Sequence, residues 1–409
     1  MKSDSMTASD IPAAGNRVLS IDRFKGMLVF CMAFFICAAD FPCLGFIARI
    51  ANNSKNGRIM LFGDLSLADI VTPLFVFLIS LTYLSSFKRR YEKCGKLAYL
   101  HFVIRYLSFI GMGSIMVSAE YLILSNGSDP YIILTVLMFV VAFLLLLLIP
   151  VKLIKPIPVI VGKIIYSSLV ATLCILGLLG IALALRDDFM IFILNKDVDI
   201  YKHWSILHEI GMTGLLALPF AWLAWYGKLI SWIVLFGSYT ALQTLPGMIE
   251  KFDVVVLGGA AGTLGWLLVM LGGLLLMELF FTYRRGALYY GLISLFYAAT
   301  AVISCVIFPL NVGSVTSNYM VFSLSCAALI FFLINLLNFW HPKIDFFVWW
   351  GRNPLLLFLI GLVLRVIQKA WNPPPDTGLA VALIFTLGGA LFMTLIAYVL
   401  YKKKIMIKI

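Results

Sequence analysis

Residues 61–90 read LFGDLSLADIVTPLFVFLISLTYLSSFKRR. Asp64 and Asp69 open the stretch, an apolar run follows, and Lys88, Arg89 and Arg90 close it. An apolar run of this length is what a helix needs to cross a hydrocarbon layer of roughly 30 Å. The basic exit marks its cytoplasmic end. Pro73 stands four residues after Asp69. A helical proline lacks the N–H that bonds the carbonyl one turn back, so the sequence predicts a freed carbonyl near Asp69 and a kinked, hydrated place there.

The pattern recurs along the chain. Of 409 residues, 62% are hydrophobic and 12% charged, and the mean hydropathy is +1.03. Soluble domains carry roughly 45–50% apolar residues and about 25% charge, so a soluble, disordered or fibrous protein is excluded. The apolar runs are continuous rather than alternating, which argues against a β-barrel. Spans are expected at 24–47, 65–86, 98–123, 131–150, 160–185, 205–226, 229–248, 255–282, 287–309, 318–338, 354–370 and 378–401. The fold class is therefore all-α, a polytopic membrane helical bundle of about 10–12 transmembrane helices. Residues 1–16 are expected to be a disordered cytoplasmic N-terminal tail, and 17–409 a single transmembrane helical domain.

The net charge of +12 lies mostly in the short gaps between spans. With the N-terminus inside, 21 Lys and Arg fall on the inner side and 8 on the outer. That asymmetry puts both termini in the cytoplasm and makes nucleic acid an unexpected partner. The seven cysteines fall mostly inside apolar runs without metal-ligand spacing, so neither a disulfide framework nor a metal site is expected. His203, His208 and Glu209 do not make an HExxH pattern. The glycine-rich run from Leu257 to Gly262 reads as close helix packing rather than a phosphate cradle.

Ionisable groups in spans are costly and mark function by default. Here they sort into two layers. Asp40, Asp64, Asp69, Glu120, His208 and Glu209 lie toward the outer face. Asp22, Lys25, His101, Arg105, Glu278, Arg352 and Asn353 lie toward the inner face. Acidic groups with a neutral imidazole suit general acid–base work on a hydroxyl or amine. Cations on the other face suit a phosphorylated carrier. The competing reading for each is an interfacial group snorkelling to the headgroups.

Three separated pieces carry a family resemblance: Ser20-Ile21-Asp22-Arg23-Phe24-Lys25-Gly26, the LSLADIVTPLFVFLIS run at 65–80, and Trp350-Gly351-Arg352-Asn353-Pro354 with the leucines after it. Together they resemble the heparan-α-glucosaminide N-acetyltransferase family and its bacterial relatives among the transmembrane acyltransferases. The segment from Trp204 to Gly211 and the VGSVTSNY segment at 312–319 are similar to further parts of the bacterial branch. The resemblance implies a multi-pass enzyme that moves an acyl group, typically acetyl, from cytosolic acyl-CoA to a sugar on the far side. It also shows departures. Lys25 stands where the family has Arg, Ile36 where it has a span-one Asn, and the position near Ile59 where it has its acyl-transfer His.

Layers and resemblance together select Asp40, Asp69 and His208 as catalytic candidates, and Asp22, Lys25, Arg105, Arg352 and Asn353 as the donor-binding set. Acetyl-CoA is the expected donor, with no metal. The expected partners are acyl-CoA, a sugar or glycan acceptor and membrane lipid, with a homodimer as the assembly to test. The short loops point to the inner (plasma) membrane of a bacterium. The rival readings are a proton-coupled transporter or flippase of a polar or lipid-linked sugar, which would use the same buried carboxylates, and a catalytically silent relative.

Overall fold

The structure, a computed structural model, describes residues 19–38, 41, 44, 60–62, 65–125, 159–188, 190, 204–254, 258–282, 286–307, 311, 315–340, 346–371 and 378–405. Helix α1 is Leu19–Ala38. A small antiparallel pair, β1 (Met60–Phe62) and β2 (Leu65–Ser66), leads into α2 (Leu67–Cys94). Then come α3 (Leu97–Ser125), α4 (Val159–Asp188) and α5 (Ile206–Leu216). A 3-10 turn (Leu218–Trp222) precedes α6 (Trp225–Thr244), α7 (Met248–Val254) and α8 (Gly259–Thr282). The chain ends with α9 (Gly286–Ile307), α10 (Ser317–Trp340), α11 (Phe346–Arg352), α12 (Pro354–Trp371) and α13 (Leu379–Lys402).

The protein is thus an all-α polytopic membrane bundle. Among the described residues, seven helices are long and apolar enough to cross a membrane: α2, α3, α4, α8, α9, α10 and α13. Most helix bounds fall within a few residues of the expected spans. The expected span at 131–150 lies outside the described residues. The expected span at 205–226 breaks instead into α5 and the 3-10 turn. Pro219 explains the break, since it removes the N–H that would continue the α5 ladder.

Helix α8 is the axis of the bundle. It is apolar on every side, as a helix surrounded by others must be, and 78% of its span is buried. Gly272 and Gly273 lie against Leu324 of α10 and against Ser80 and Phe77 of α2, with no room for a Cβ. By contrast only 17% of α4, 28% of α9 and 22% of α13 are buried. Their leucines and isoleucines face outward, as lipid contact requires. Gly258 and Gly259 do not pack inside a span as the sequence suggested. Both take a positive φ, 81° and 61°, and turn the chain into α8.

Two tertiary contacts join the separated motifs. Gly26 of α1 meets the Phe347 carbonyl, and Gly351 of α11 meets the Asp22 carbonyl, each so closely that a Cβ would overlap it. The two motifs are therefore halves of one helix crossing, with a glycine on each side. In α2, Pro73 frees the carbonyl of Asp69, four residues back. The hydroxyl of Tyr319, in the VGSVTSNY segment, donates to that carbonyl at 2.8 Å. The freed group is thus satisfied by protein.

Candidate functional site

A cavity, partly open at its mouth, lies between α1, α2, α3, α5 and α12. Each wall follows helical spacing. On α2 the lining residues Phe75, Leu78, Ile79, Thr82, Tyr83 and Ser86 form one stripe. On α3 they are Phe102, Arg105, Tyr106 and Phe109. Helix α1 contributes Lys25 and, two turns further out, Met32. Pro354 and Phe358 of α12 and Ile206 and Ile210 of α5 complete the enclosure.

Lys25 and Arg105, both expected in the donor-binding set, thus line one cavity. The Arg105 guanidinium lies 5.6 Å from the Phe109 ring and 5.9 Å from the Tyr106 ring, within cation–π range. Its Nε is buried without a hydrogen-bond acceptor among the described residues. Tyr106 stacks on Tyr83 at 5.7 Å, and the Tyr83 hydroxyl donates to the Gly214 carbonyl at 2.8 Å, fixing α5 to α2. Gly214 lies flat against the Tyr106 ring, where no Cβ fits. Among the described residues no carboxylate or imidazole lines this cavity.

The other three of the donor-binding set sit at the crossing of α1 and α11. Asp22 is buried there. Arg352 places its guanidinium 4.2 Å from the Tyr401 ring of α13. The Asn353 amide donates to the Ile405 carbonyl at 3.0 Å, while the Asn353 carbonyl accepts from Leu357 at the start of α12. Pro354 follows at the first helical position, where its missing N–H costs nothing. Each residue of Gly351-Arg352-Asn353-Pro354 therefore has a structural task, and Pro354 alone reaches the cavity.

The catalytic candidates lie apart from it. Asp40 is outside the described residues. Asp69 is buried in the first turn of α2. His208 is buried in the first turn of α5, on the side of that helix away from the cavity. The Ser205 backbone N–H donates to His208 Nδ1 at 3.2 Å, with the Ser205 hydroxyl 2.9 Å from the same nitrogen. Nδ1 is therefore the acceptor and Nε2 carries the proton, assigned from the network. Nε2 lies 3.0 Å from the Ser114 hydroxyl, which donates on to the Ile110 carbonyl at 3.2 Å. The ring also stacks on Trp204 at 4.7 Å. His208 is at once the cap of α5 and its tie to α3.

Glu209, in the outer layer but outside the three catalytic candidates, is fully buried. Its carboxylate accepts from the Trp204 indole N–H at 2.5 Å and from the Thr263 hydroxyl of α8 at 3.1 Å. The Ser205–His208 spacing at a helix start was readable as a capping pattern; the Thr263 partner, 54 residues away, was not. Toward the inner face, the buried Lys228 donates to the partly exposed Glu278 at 2.5 Å and to the Leu223 carbonyl, closing an ion pair between α6 and α8. In comparison with known proteins, no family model and no curated protein matches the chain. Among the described residues no cluster of His, Cys, Asp and Glu could hold a metal ion.

Proposed function

We propose that this chain is a membrane acyltransferase that takes an acyl group, acetyl in the simplest case, from cytosolic acyl-CoA and passes it to a sugar or glycan toward the outer face of a bacterial plasma membrane. One observation carries the reading. Lys25 of the Ser20–Gly26 motif and Arg105, separated by most of three helices in sequence, line the same cavity. Two cations over an apolar, aromatic chamber match a phosphorylated carrier whose thioester end enters the protein. The acceptor hydroxyl or amine attacks the thioester carbonyl, a base takes its proton, and CoA leaves as the thiolate. The cavity wall offers no such base among the described residues, so the base belongs to the outer layer, where Asp40, Asp69 and His208 are the candidates.

The test is calorimetric binding of acetyl-CoA to the purified protein, with free CoA and ATP as comparators. Saturable binding that weakens in Lys25→Ala and Arg105→Ala supports the proposal. Absence of binding at high micromolar acetyl-CoA sinks it. That wall without a carboxylate or imidazole favours a second reading, a carrier of an anionic amphiphile. Uptake or flipping without any CoA dependence would identify it.

A further inference from the structure

We infer that the cavity holds its ligand by a hydrocarbon chain as well as by charge: it is a site for an anionic phosphoryl compound bearing a long acyl or isoprenoid chain. This rests on the donor-site reading above and narrows it, because much of the wall beyond the cations is apolar: Met32, Phe75, Leu78, Ile79 and Phe109.

The wall changes character in one direction. Along α2, Ser86 and Thr82 come at the inner end and Ile79, Leu78 and Phe75 follow outward. Helix α1 repeats the order with Lys25 and then Met32, while on α3 Arg105 stands between the Phe102 and Phe109 rings. From Ser86 to Phe75 the stripe runs about 16 Å along the helix axis at 1.5 Å per residue. The inner end suits an anionic head. The outer half suits methylenes, which need no hydrogen-bond partners there. Arg105 stands at the boundary, with a buried N–H that no acceptor among the described residues takes.

Acyl-CoA and a lipid phosphate share this chemistry, so the probes are acetyl-CoA, octanoyl-CoA and octyl phosphate. Binding is measured by calorimetry in nanodiscs of zwitterionic phospholipid, with empty nanodiscs subtracted. A buried methylene is worth roughly fourfold in affinity. Octanoyl-CoA is expected to bind at least about tenfold more tightly than acetyl-CoA, allowing for the apolar bilayer as competitor. Ile79→Trp fills the outer half from a partly buried position and should erase that preference while acetyl-CoA still binds. Arg105→Gln should weaken all three probes. Equal affinity for the two CoA esters in the natural sequence overturns the chain site and leaves the donor reading intact. Binding of octyl phosphate without either ester keeps the chain site and overturns the acyl-CoA reading. No saturable binding of any probe overturns both.

Discussion

Replacing Tyr319 by Phe removes one hydroxyl and leaves the Asp69 carbonyl without its 2.8 Å donor. The helix cannot supply another, because the residue that would donate is Pro73. Tyr319 is 2% exposed and Asp69 9%, so water does not readily replace the lost bond. An unsatisfied buried carbonyl costs about 1–3 kcal/mol. At no more than about 2 °C per kcal/mol for a chain of this size, the melting temperature should fall by at most roughly 6 °C. The same reasoning predicts a rescue. Pro73→Ala returns the N–H of residue 73 and with it the helical bond to Asp69. In that background Tyr319→Phe should cost less than about 0.5 kcal/mol, so the two changes should couple by about 0.5–3 kcal/mol. The assay is thermal unfolding of the four proteins in one detergent at one scan rate, since irreversible unfolding makes the midpoint rate-dependent. If Tyr319→Phe costs the same with and without Pro73, the freed carbonyl is not what Tyr319 is there to satisfy.

Other perturbations follow from the same geometry. Glu278→Gln strands the buried Lys228 ammonium and should cost about 3–5 kcal/mol, whereas the double change Lys228→Met, Glu278→Leu should recover most of it; equal melting temperatures for the single and double variants would refute the pairing. Gly26→Ala and Gly351→Ala each push a methyl into a backbone carbonyl of the facing helix, and each should lose about 1–3 kcal/mol, seen as a smaller monodisperse fraction by size exclusion. His208→Ala should cost at least about 1 kcal/mol, the worth of the α5 cap alone, because the Ser114 bond and the Trp204 stack go with the ring. Glutamine at the same position should restore the cap's part of that stability, because its side-chain oxygen can take the Ser205 N–H as His208 Nδ1 does; a glutamine variant as unstable as the alanine one would contradict the capping role. Should the stable glutamine variant also lose acyl transfer, His208 acts on the acceptor as well as on the helix.

The motif residues gain a physical account from their neighbours. Conformational freedom is not what Gly26 and Gly351 supply; neither takes a positive φ, and both are small because two backbones meet there. Asn353-Pro354 starts a helix, and its asparagine also holds the end of α13. Short polar motifs read from sequence as a binding set can therefore divide between a cavity wall, to which Lys25 belongs, and the joints that keep that wall in place, to which Arg352 and Asn353 belong.

By itself the sequence determined the all-α membrane class, most helix bounds and the freed carbonyl at Pro73. These depend on hydropathy summed over a window and on backbone chemistry local to a few residues. It also picked out Lys25 and Arg105, because a cation in or beside an apolar run is conspicuous wherever it ends up. Only the tertiary structure decided that these two share a cavity, and that His208 and Glu209, adjacent in sequence, are held by Ser114 of α3 and Thr263 of α8 respectively. Successive residues on a helix point about 100° apart, so which neighbour each one meets depends on how whole helices cross. In this protein those crossings are set by glycines such as Gly26, Gly272 and Gly351 and by the partners packed against them, and no local stretch of sequence encodes both sides of such a contact.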